Sequence, residues 1–148
     1  MRVHASLGDR VLVFNASSPA WGPKGDRYER CDEVLGCKPP ADHCDPVWVD
    51  QAVYQLDVPV KRIRGVRDVR GCDGNWLVVD VNPAVGDCPP AEGADPCTIP
   101  ARVTRWFMRF GMARWEQVTG TKQNGCAPIQ AVRPEFPDVL CRNLPAVG

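Results

Sequence analysis

The stretch Cys72-Asp73-Gly74-Asn75-Trp76-Leu77-Val78-Val79-Asp80-Val81 joins a turn to an uninterrupted run of β-forming residues. Asp and Asn bond the backbone just ahead of them and Gly takes left-handed geometry without steric cost, so Cys72 to Asn75 reads as a turn. Trp76 to Val81, rich in β-branched side chains, reads as the clearest buried strand of the chain. Just upstream, Ile63, Val66 and Val69 are interleaved with Lys61, Arg62, Arg64, Arg67 and Arg70, the pattern of a twisted strand with one wet face. Pairing Ile63 to Val69 with Trp76 to Val81 across the turn predicts a hairpin, and the hairpin predicts a compact antiparallel sheet. A further strand is expected at Gly8 to Phe14, where a turn is again followed by β-formers.

Downstream, Thr98-Ile99-Pro100-Ala101 has helical grammar: a capping residue, a proline in the first turn, then Ile99, Val103, Trp106 and Phe110 spaced by four, three and four. Gly111 can end such a helix. The same segment also alternates at strand period, with Trp106, Met108, Phe110 and Met112 set against Arg105, Phe107 and Arg109. The placement of cap, Pro and Gly favours one short helix near 99–110, with Arg102, Arg105 and Arg109 turned outward. The expected fold class is therefore α+β, β-rich and disulfide-stabilised. With 148 residues, 44% of them hydrophobic, the chain is expected to form one domain over 1–148. Residues 1–7 are expected to be a flexible N-terminus, and residues 126–148, with four prolines, an extended C-terminal tail tied down by its cysteines.

The eight cysteines, at 31, 37, 44, 72, 88, 97, 126 and 141, contain no Cys-x-x-Cys pair. Structural zinc and thioredoxin-like sites need such close pairs, so the even count points to four disulfides, with Cys88 and Cys97 able to close a loop on themselves. Disulfides imply an extracytoplasmic, oxidising compartment (secreted, periplasmic or an organelle lumen), and the residues from Met1 to Ser6 carry no apolar targeting segment. No apolar run approaches the length of a membrane span, so a soluble domain is expected.

Eighteen basic and eighteen acidic residues give zero net charge, which disfavours a nucleic-acid partner. The zero hides segregation: residues 61–70 carry five cations and one acid, and 102–114 four arginines and no acid, while 26–57 carry eight acids against three cations and 73–95 five acids alone. Arg set beside Trp and Phe, as in Arg105-Trp106-Phe107-Met108-Arg109-Phe110, is the composition of protein interfaces. Arg62, Arg64, Arg67, Arg70, Arg102, Arg105 and Arg109 are accordingly the candidate partner-binding residues, and the blander alternative is that they pair with acids inside the fold.

Catalytic signals are sparse. His43, in Asp42-His43-Cys44-Asp45, has acids on both sides but reads first as a loop histidine beside a structural disulfide, and a metal site there matches no familiar spacing. Asp57, Asp80 and Glu116 are the carboxylates that could form a glycosidase-like pair. Neither glycine-rich phosphate loop is present, and no cofactor or metal is expected. The leading expectation is a non-catalytic binding or structural subunit docking onto a larger assembly with an acidic surface. The alternatives are a small secreted polysaccharide hydrolase and a disulfide-framed inhibitor presenting residues 89–96.

Overall fold

A computed structural model describes residues 8, 10–16, 18–56, 67–82 and 103–148. The chain divides into two compact units, Met1–Ala41 and Asp42–Gly148. In the first, β1 (Trp21–Lys24) and β2 (Arg27–Arg30) form an antiparallel hairpin, and the expected strand at 8–14 is reduced to a single bridge from Leu12 to Trp21. Gly22 approaches the Cys31–Cys37 disulfide so closely that an added Cβ would lie 3.0 Å from the Cys37 Cβ. Lys24, by a 2.7 Å hydrogen bond, and then Arg27 hold the Glu29 carboxyl below its ordinary value of 4.5. This unit contains no buried apolar side chain among its described residues, so its cross-link and charges hold it.

The second unit holds the sheet. β3 (Arg67–Cys72), β4 (Trp76–Val81), β5 (Thr104–Phe110) and β6 (Trp115–Thr121) are antiparallel and lie in the order β3-β4-β5-β6. The predicted hairpin is present, with Cys72 opposite Leu77 and Arg67 opposite Val81; residues 63–66 lie outside the described ones. Its turn forms because the Asp73 carboxylate accepts from the Asn75 and Trp76 amides, and because Gly74 sits at φ +89°, where a side chain would be strained. All six residues of β4 are buried, as a central strand covered on both faces requires.

The segment expected to be a helix is β5. Residues 104–110 form a strand because this strand too is sandwiched: Phe107 packs on one face while Met108 and Phe110 point to the other. Apolar side chains therefore fall on both sides, and residues 104–110 form no single helical stripe. Residues 99–102 lie outside the described ones. The longest helix among the described residues is instead α1 (Pro46–Tyr54), opened by the Asp45 side chain accepting from the Val47 amide and by Pro46 in the first turn.

The two faces of the sheet are covered differently. On one, α2 (Ala127–Val132) and α3 (Asp138–Cys141) bring Ile129, Phe136, Leu140 and the Cys126–Cys141 disulfide onto Trp76, Val78 and Phe107. Phe136 meets Trp76 and Phe107 edge-on at 5.1 and 5.4 Å. The C-terminal segment expected to run extended is thus partly helical, because it has its own apolar face to bury; it is tied down at its cysteines as expected, and they prove to be bonded to each other. A loop of that size, 15 residues apart in sequence, gains about 3 kcal/mol from closure by the chain-entropy estimate. On the other face, Trp48 of α1 meets Phe110 edge-on at 5.2 Å, and Cys44–Cys72 links the segment before α1 to β3. Near the far end of β6, Gly120 lies beneath the Trp106 ring, where an added Cβ would come within 2.7 Å. Six of the eight cysteines are oxidised in these three disulfides, and Cys88 and Cys97 lie outside the described residues.

Candidate docking site

The seven arginines expected to meet a partner have different fates. Arg62, Arg64 and Arg102 lie outside the described residues. Arg67 is largely buried and bonds Asp50 of α1 at 2.6 Å, with the Pro46 carbonyl as a second acceptor. Arg70, 31% exposed, donates to Asp80 at 2.8 Å and reaches Asp68 at 3.4 Å. Arg105, expected to face outward, is fully buried: the register of β4 and β5 sets it directly opposite Asp80, whose carboxylate it clasps with two hydrogen bonds of 2.7 and 2.8 Å. A third hydrogen bond, of 3.0 Å, goes to the Pro145 carbonyl. Arg105 therefore cannot reach a partner's surface.

Asp80 is 2% exposed. Burial pushes its carboxyl up, but hydrogen bonds and charge from Arg105 and Arg70 outweigh that and hold it below its ordinary value of 3.8. It is a buried anion accepting three hydrogen bonds from two arginines, which commits it to an ion-pair role rather than to an acid and base pair; Asp57 lies outside the described residues, and Glu116 is exposed. His43 is likewise committed to packing. Its ring stacks on Phe110 at 3.5 Å, its Nδ1 is 3.1 Å from the Gly74 carbonyl, and its own carbonyl accepts from the Trp115 indole. Among the described residues no group of three or more His, Cys, Asp or Glu could hold a metal ion. No helix among them is long and apolar enough to cross a membrane. The loop 89–96 lies outside them.

Arg109 is the exception. It lies on the same face of β5 as Arg105, four residues along and opposite Trp76. Its guanidinium sits 5.6 Å from the centre of the Trp76 ring, 3.9 Å from Glu135, and its side chain is 53% exposed. The indole thus holds the charge in place while leaving its outer donors in water. Next along the chain is the β5–β6 turn, closed by the Gly111 amide donating to the Arg114 carbonyl and the Ala113 amide to the Gly111 carbonyl, both at 2.8 Å. Ala113 has φ 120°, a region that strains any residue with a side chain, and Met112 at the tip is 98% exposed. Arg114 and Arg133 are exposed beside it, and neither forms an ion pair among the described residues.

Two open grooves meet at this end. One, of about 470 Å³, is bounded by Arg109, Phe110, Met112, Glu116, Val118 and Arg133. The other, of about 450 Å³, is bounded by Ala52, Gln55, Arg114, Trp115, Glu116 and Gln117. Arg109 was legible in the sequence. The Met112 tip and Arg133 were not, although an apolar residue between two glycine- or alanine-flanked turn positions is the available signal. No protein family, curated protein or solved structure matches the chain.

Proposed function

We propose that the protein is a non-catalytic binding subunit of an oxidising, extracytoplasmic compartment, docking onto an acidic surface of a larger protein assembly through the Arg109–Met112 end of its sheet. The observation that carries this reading is the pairing of a positioned, half-exposed arginine with an almost wholly exposed methionine on a strained turn. Arginines anchored by aromatic rings and flexible apolar anchors are what interfaces use for affinity, and a charged rim gives salt-dependent association. The disulfides support the compartment, since such bonds persist where thiols are not kept reduced.

The test is native co-purification of the tagged full chain against an otherwise identical chain carrying Met112→Asp and Arg109→Gln. Loss of a stoichiometric, salt-sensitive complex in the variant, with melting unchanged, supports the reading. Full retention of that complex would move the docking surface elsewhere.

A further inference from the structure

We propose that β6 is a receptor edge: an extended segment of an acidic partner protein adds to it as a fifth strand, its side chains alternating into the two grooves. This rests on the docking reading above and specifies how the contact is made. Strand order leaves β6 with one strand neighbour among the described residues, and Glu116, Gln117 and Gly120 along it are exposed. Natural sheets guard such edges with proline, lysine or covering elements, because an open row of amides and carbonyls invites another strand. Trp115 to Thr121 holds neither proline nor lysine.

The opposite edge shows what guarding looks like in this chain. At β3, Leu140 of α3 lies on Gly71, 3.0 Å from where a Cβ would stand, and Arg67 and Arg70 are engaged in ion pairs with Asp50, Asp68 and Asp80. At β6 the register slips between Phe107 and Met108, leaving Val118 as an extra residue that interrupts the ladder. The added strand is therefore short and confined to the half beginning at Trp115, where both grooves lie.

Groove chemistry identifies the occupant. A strand places successive side chains on opposite faces, so one groove receives every second residue and the other receives those between. The groove holding Arg109 and Arg133 sets two cations against the single carboxylate of Glu116 on its wall, so it still suits carboxylates, which those guanidinium groups can bind as charge-assisted hydrogen bonds. The other, walled by Ala52 and Trp115 with Arg114 at its rim, suits apolar side chains.

A short, N-acetylated and C-amidated peptide of alternating glutamate and valine is the probe, added to the full chain and followed by amide exchange. The backbone amide of Gln117, which points away from β5 because Arg109 and Glu116 are the pair bonded across the ladder, should exchange at least about tenfold more slowly with peptide bound. Methylating the peptide's backbone nitrogens, Arg133→Gln, or replacing glutamate by lysine should each weaken binding by roughly tenfold or more. Equal binding of the methylated peptide, binding without protection of β6, or a β6-protected dimer of the chain alone would overturn the inference. So would no binding up to about 1 mM. If the Met112→Asp, Arg109→Gln chain still loses its native complex in that last case, docking stands and strand addition does not.

Discussion

Arg105 and Arg109 lie on one face of one strand, four residues apart, and the molecule treats them in opposite ways. At the Arg105 end the cross-strand neighbour is Asp80, and the C-terminal segment covers both, with the Pro145 carbonyl over the guanidinium. At the Arg109 end the neighbour is Trp76, and the cover stops short, leaving the side chain 53% exposed. The difference teaches that the use of an arginine is set by its partner across the sheet rather than by its neighbours in sequence. A buried carboxylate draws it inward as a structural charge, while an indole positions it and leaves it available.

The comparison breaks most severely at the sealed end. Arg105→Ala should cost about 3–5 kcal/mol in urea unfolding, because Asp80 would be left charged and buried without its main partner. Near-unchanged stability would show that water reaches Asp80. Replacing both members, Asp80→Leu with Arg105→Met, should recover much of the loss, since an apolar pair of similar volume has no desolvation cost to meet.

Acid sharpens the same contrast. Asp80 has a folded value below its ordinary one, so the stability it contributes is complete above about pH 4 and is lost as pH falls through the depressed folded value. Melting followed from about pH 5 downward should fall at the acid end in the native protein, and the fall should be smaller in the chain carrying both Asp80→Leu and Arg105→Met. A parallel decline in both would assign the acid sensitivity to other carboxylates.

At the open end the expected stability effects are small. Arg109→Gln should change stability by about 1 kcal/mol or less, through loss of the ring contact and a weak ion pair. Met112→Asp should stay within about 0.5 kcal/mol, since nothing packs on a fully exposed tip. Thermal melting checks both, and a larger loss at Met112 would mean that the strained turn depends on its side chain.

Sequence patterning revealed the β4 strand, its hairpin and the oxidation of the cysteines, because each of these is written locally: a turn carboxylate, a β-branched run, an even set of cysteines; which cysteine joins which was not legible, and the Cys126–Cys141 pairing comes from the fold. It misassigned β5 because Phe107 breaks the polar face made by Arg105 and Arg109, so the strand period was blurred, and Val103, Trp106 and Phe110 beside a cap, a Pro and Gly111 then imitate a helical stripe. The true helix carried a better signal. Asp45-Pro46 is a cap followed by a first-turn proline, and Val49, Ala52, Val53 and Leu56 follow at helical spacing, all of them buried. Arg105 could not be placed without the register, because its partner lies 25 residues away. The docking end was half legible: Arg109 beside aromatic residues pointed to it, while Arg133 arrives from the end of α2 only through the tertiary fold.

The stacking of Arg109 on Trp76 also makes the molecule an optical instrument. Indole emission responds to the electric field across the ring, and here a full positive charge stands 5.6 Å from its centre. Any ligand that draws the guanidinium outward changes that field, so occupancy of the open end is written into the colour of Trp76 fluorescence. The difference spectrum between the native chain and Arg109→Gln isolates this indole from the other four tryptophans.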